Sequence, residues 1–89
     1  MKTPEEIKVF HGKLANCKGP DEMAKEYGSK ELFDANFMLG FFNALTFVLN
    51  EKLQEGEIRE HYKGLCVEPK QGNGAIGERN AFAWCLNWE

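Results

Sequence analysis

The chain has 89 residues, a net charge of −3, a pI near 5.4 and 43 % apolar residues, including seven Phe, two Trp and two Tyr. That length makes one domain (residues 1–89), and the aromatic content is that of a folded chain rather than a disordered one. The mild acidity, with no block of Lys or Arg, argues against direct nucleic-acid binding, and no apolar run is long enough to span a membrane. Cys17, Cys66 and Cys85 are an odd number with no secretory leader in sight, so a reduced, cytoplasmic setting is expected.

Thr3-Pro4-Glu5-Glu6 has the form of a helix start: a capping threonine, a proline at the first helical position, and a glutamate that closes a capping box. Ile7, Phe10, Leu14 and Cys17 then recur on one face, and Lys18-Gly19-Pro20 ends the helix. Pro20 to Tyr27 reads as a short second helix or a helical turn, with Gly28 as its stop.

A single long helix is predicted over Lys30–Glu55, about 39 Å at 1.5 Å per residue. Ser29 is its expected N-cap, Glu31 adds charge suited to the first turn, and Gly56 is its first strong interruption. On a 3.6-residue wheel, Phe37, Met38, Phe41, Phe42, Ala44, Leu45, Val48 and Leu49 share one arc, which makes this helix the centre of the core. Asn36, Gly40, Asn43, Asn50 and Gln54 lie opposite. Asp34 and Lys52 return charge to the apolar side and mark the limits of the buried stretch. Phe47 breaks the pattern, lying within the polar stripe between Asn43 and Asn50. Either a second helix covers it, with Gly40 allowing close approach, or it is an exposed aromatic anchor for a partner.

Residues 57–63 are helical in composition, as a bent continuation or a separate helix ended by Gly64. Leu65-Cys66-Val67 reads as a short extended piece closed by Pro69, and residues 70–77 as a glycine-rich loop. The tail from Asn80 supports two readings. With period two, Phe82, Trp84, Leu86 and Trp88 form a strand face; with period 3.6, Ala81, Trp84, Cys85 and Trp88 form a helical one. An internal likeness favours helix. Gly40-x-x-Asn43-Ala44-Leu45-x-Phe47-Val48-Leu49-Asn50 aligns with Gly77-x-x-Asn80-Ala81-Phe82-x-Trp84-Cys85-Leu86-Asn87, with five identities. The fold expected is therefore mainly α, a small helical domain around one long central helix. The alternative is α+β, with a C-terminal hairpin pairing residues 65–67 with 81–87.

The run Gly40 to Glu51, Gly-x-x-x-Ala-Leu-x-Phe-Val-Leu-Asn-Glu, resembles a helix of small bacteriophage accessory proteins. The likeness covers about a dozen residues, and the second copy departs from it at Phe82 and Cys85. It implies a short phage gene product, of a class rich in proteins that bind and disable host machinery, and it carries no residue roles.

The chemistry-bearing residues are sparse. Gly72-x-Gly74-x-x-Gly77 has the spacing of a dinucleotide fingerprint, and with Lys70 and Arg79 it offers a phosphate or nucleotide cradle. Too little chain follows it for a complete dinucleotide-binding unit. His11, His61 and the cysteines include no close Cys or His pair, so neither a metal nor a cofactor is expected. Cys66 beside His61 lacks a third residue to orient it as a nucleophile–base pair. The function expected is that of a non-enzymatic protein-binding module, an inhibitor that occludes a host defence, transcription or replication protein. Its contact residues are Phe47, Asn43 and Asn50, with Trp84 and Trp88 at the other end, and self-pairing into a homodimer is an accompanying expectation. The alternative is a small-ligand or nucleotide binder that uses residues 70–79.

Overall fold

A computed structural model describes residues 1–28, 35–67 and 72–88 of the chain. Helix α1 (Pro4–Ala15) starts as its capping box dictates. Glu6 N–H donates to Thr3 Oγ1 at 3.1 Å, and Thr3 N–H donates to Glu6 Oε1 at 3.0 Å. This contact holds the Glu6 carboxyl below its ordinary pKa, the backbone hydrogen bond from Thr3 contributing most. Ile7 and Leu14 are buried, and Phe10 is half-buried beside them.

Helix α2 (Pro20–Tyr27) is a full helix rather than a turn. It ends at Gly28, whose φ of 81° places it in the left-handed region. It delivers Ala24 to the core and sets the Tyr27 ring 4.6 Å from that of Phe41.

Helix α3 (Ala35–Asn50) is the centre of the core. Phe37, Met38, Phe41, Ala44, Leu45 and Val48 are all buried along its inner side, as the wheel predicts. The expected first turn, with Lys30, Ser29, Glu31 and Asp34, lies outside the described residues. The other end corrects the expectation, because the helix stops at Asn50 and not at Glu55. Lys52 adopts φ 51°, its N–H donates to Leu49 O at 3.4 Å, and Leu53 N–H donates to Val48 O at 3.1 Å. This is a Schellman stop built on a lysine, with Leu53 folding back towards Val48.

Helix α4 (Glu55–Val67) then starts afresh. Glu57 Oε1 accepts from Gln54 N–H at 3.1 Å, half of a second capping box. Gly56 lies in its first turn and Gly64 in its interior; neither breaks it, because each sits on the exposed side with open space around it. Leu65-Cys66-Val67 is helical, not extended.

Helix α5 (Asn73–Cys85) bears out the favoured helical reading of the tail and overturns one further expectation. The strand reading of the tail fails: Ala81, Phe82, Cys85 and Leu86 are buried at helical spacing, and the described residues include no strand. The expected loop over residues 70–77 is corrected in its described part, since α5 begins directly after Gly72 (φ 104°), and residues 70 and 71 lie outside the described residues. The reason is close approach. A Cβ on Gly77 would lie 2.8 Å from the carbonyl carbon of Phe37, and one on Gly40 would lie 2.7 Å from that of Gly74. The missing side chains let α5 rest on the backbone of α3. Among the described residues this crossing is the most extensive helix–helix contact; α4 packs on α5, and α1 and α2 pack on α3.

Candidate functional site

Helix α3 carries no charged side chain from Ala35 to Asn50, although it has one side facing outward. Asn36, Leu39, Asn43, Phe47 and Asn50 are all exposed there, Leu39 by 46 % and Phe47 by 39 %. At 100° per residue these five fall within about 80° of arc centred on Asn43, a single uncharged stripe.

Two histidines border it. On the α1 side, the His11 ring stacks on Phe42 at 4.5 Å, and its Nε2 lies 2.8 Å from Thr46 Oγ1. The Thr46 hydroxyl donates to Phe42 O at 3.0 Å, so its free lone pair receives the proton on His11 Nε2. Partial burial pushes the His11 pKa below 6.5. On the α4 side, His61 meets Phe47 edge to face at 5.2 Å and stacks on Phe82 at 5.6 Å. Phe47 is thus touched along one edge by α4 and open on the rest. Gly40, one turn away from Asn43, receives α5 instead.

Trp84 and Trp88 do not share a face. Trp84 is half-buried against α1, with Phe10 at 4.6 Å and the Lys2 ammonium 4.4 Å from its ring centroid. Lys2 also donates to Trp84 O at 3.1 Å and to Asn87 Oδ1 at 2.6 Å. Beyond Cys85 the chain turns back: Asn87 takes φ 61°, and Trp88 N–H donates to Ala83 O at 2.8 Å. Trp88, 49 % exposed, therefore packs on α4, with Tyr62 at 5.1 Å and Arg59 at 5.8 Å. Four-residue spacing puts two residues on one side only while the helix continues.

Of the residues considered for a phosphate cradle, Gly74 and Gly77 turn their open sides to α3. Gly72 is the N-cap of α5, Arg79 is half-buried, and Lys70 lies outside the described residues. His61 and Cys66 are five apart on α4 and point differently. His61 meets Phe82 and Phe47, while Cys66 hydrogen-bonds Tyr62, which is the main cause of that phenol's raised pKa. Burial pushes the Cys85 thiol up to about 12. Among the described residues no group of three His, Cys, Asp or Glu could hold a metal, and no helix is long and apolar enough to cross a membrane. A cleft of about 460 Å³ beside the α3–α4 turn is lined chiefly by apolar side chains such as Ile7, Val48 and Leu53, with Lys52 and Glu55 as its charged side chains.

Sequence reasoning singled out Phe47, Asn43 and Asn50 and missed Leu39. The available signal was its spacing, since Leu39 stands as far before Asn43 as Phe47 stands after it. No protein-family model, no curated protein and no solved structure matches the chain.

Proposed function

We propose that this chain is a non-enzymatic protein-binding module whose contact surface is the outward stripe of α3, and that it acts as a phage-encoded inhibitor occluding a host protein in the host cytoplasm. The observation that carries the binding reading is an exposed leucine and an exposed phenylalanine set among three asparagines on a helix without charge. Interface centres are depleted of charge and enriched in aromatic anchors, because desolvating a charge costs several kcal/mol whereas covering a phenyl ring is favourable. The asparagines supply donors and acceptors that a partner can satisfy without ionic desolvation. The phage assignment rests on the likeness of residues 40–51 to the helix of phage accessory proteins.

The test is capture from a bacterial lysate by the purified chain and by Phe47→Ser. The expected result is a protein retained by the first and lost by the second, with the melting temperature nearly unchanged. Equal capture by both would remove Phe47 from the contact, and a melting temperature lower by ten degrees or more would make it a core residue instead.

A further inference from the structure

We infer that the α3 stripe is self-complementary and pairs two copies of the chain antiparallel, about a two-fold axis at Asn43. This rests on reading the stripe as a protein-binding surface and names the occupant it takes in the absence of a host protein, a weakly held second copy that a tighter partner displaces. The stripe is a palindrome. Leu39 and Phe47 stand four residues before and after Asn43, and Asn36 and Asn50 stand seven before and after. A two-fold axis perpendicular to α3 at Asn43 therefore sets Leu39 beside the second copy's Phe47, and Asn36 beside its Asn50. Asn43 meets its own counterpart. Each off-axis contact occurs twice and the Asn43 pair once, on the axis, as an isologous interface requires.

Chemistry agrees with geometry at each level. Two facing Asn43 amides can each donate to and accept from the other, so the central polar groups are satisfied. Asparagines along a helical seam favour the register that pairs them with one another. Each copy carries a net charge of −3, and the stripe is where two such copies meet without opposing like charges.

A second observation comes from α5. The internal likeness extends back beyond Gly77, so that Asn73, Ile76, Asn80, Trp84 and Asn87 repeat the same order of side chains. There the chain itself covers part of the stripe: the Phe10 ring lies 4.6 Å from that of half-buried Trp84 and Lys2 bonds Asn87, while Asn73 and Asn87 keep exposed sides. The equivalent positions on α3, Phe47 and Asn50, are exposed. The aromatic that is half-buried in one copy is exposed in the other.

Two facing stripes with their histidine borders would bury roughly 1,000 Å² in total, at the low end for specific pairs, so dissociation in the range of about 10–100 µM is expected. Sedimentation velocity from about 5 to 500 µM should show 10.2 kDa species converting to twice that mass. Asn43→Lys, which sets two like charges on the axis, should weaken pairing at least thirtyfold without lowering the melting temperature. Orientation is read by oxidative cross-linking in a Cys17→Ser, Cys66→Ser background. Asn43→Cys should link to itself, whereas Asn36→Cys should link to Asn50→Cys and not to itself. A chain that stays at 10.2 kDa throughout, a dimer indifferent to Asn43→Lys, or Asn36→Cys linking to itself would each overturn the inference. A monomer that still captures a lysate protein through Phe47 would assign the stripe to a different partner and leave the binding-module reading standing.

Discussion

Gly77→Ala and Gly64→Ala make the same chemical change within helices and should have opposite effects. By helix propensity alone each stabilises, by up to about 1 kcal/mol. At Gly64, within α4, a new Cβ meets nothing within 4 Å, so that gain is all that remains. At Gly77 the Cβ would lie 2.8 Å from the Phe37 carbonyl carbon and 3.0 Å from Phe41 N. Both neighbours are backbone atoms of helix α3, with no rotamer to move into. Relief requires α5 to withdraw from α3 by roughly 1 Å, which loosens the packing of Phe37, Phe41, Ala81 and Phe82 together.

Overpacking of this kind costs about 1–3 kcal/mol and occasionally more, and the stiffness of the contact places Gly77 at the upper end. After subtracting the propensity gain, a net loss of about 2–3 kcal/mol remains, or roughly 10–20 °C in melting temperature for a domain of this size. Gly64→Ala should instead raise it by about 3–6 °C. Thermal and urea denaturation followed by circular dichroism measures both. Gly40→Ala strains the same crossing, so combining it with Gly77→Ala should cost clearly less than the sum. If Gly77→Ala proves as stable as the parent chain, the close approach of α3 and α5 is wrong, and the placement of the tail falls with it.

Lys52→Gly should stabilise by about 0.5–1 kcal/mol, read as a higher urea midpoint, because it relieves a left-handed residue without removing a core contact. His11 should make stability pH-dependent, since its folded pKa is lowered by burial and its unfolded value is near 6.5. Its contribution is full above pH 6.5 and falls as the pH drops towards the folded value, because the unfolded chain takes up the proton first. The difference in urea midpoint between pH 8 and pH 5.5 should therefore be smaller in His11→Gln than in the parent. Alkylation of the native chain, mapped by mass spectrometry, should mark exposed Cys66 first and reach Cys85 only on unfolding, since that thiol is buried and held protonated.

What could be read from the residues was what depends on near neighbours. The Thr3–Glu6 box, the Gly28 stop and the buried arc of α3 each follow from side chains within a turn or two of one another. The readings that failed depend on distant chain. Nothing local marks Lys52 as left-handed, since lysine has no preference for that region; the fold-back of Leu53 onto Val48 selects it. Gly72, Gly74 and Gly77 look like a loop because glycine weakens an isolated helix. Against α3, Gly77 is what makes the contact close enough, with Gly40 as its counterpart. Trp88 was placed beside Trp84 by a periodicity that ends at Asn87. The outward position of Phe47 is visible as a break in the polar stripe, whereas Leu39, next to Met38 and Phe37 in an apolar run, breaks no pattern and is assigned to neither side.

The internal likeness between α3 and α5 has a physical counterpart that explains the architecture. The offset that carries Gly40 onto Gly77 also carries Phe37 onto Gly74. In the structure Gly40 rests on Gly74 and Gly77 rests on Phe37, so the two contacts exchange under that offset. The helices therefore cross about an approximate two-fold axis, each giving the other a glycine and a stretch of backbone. Two helices alike in sequence and related in this way each turn a second, outward stripe away from the crossing. The N-terminal segment can cover only one of them, and it takes the α5 copy, where Lys2 reaches both Trp84 and Asn87. The stripe left open on α3 is then a consequence of one cover serving two like surfaces, and in the pairing proposed above a second chain offering the same stripe in reverse would supply the cover that the first one lacks.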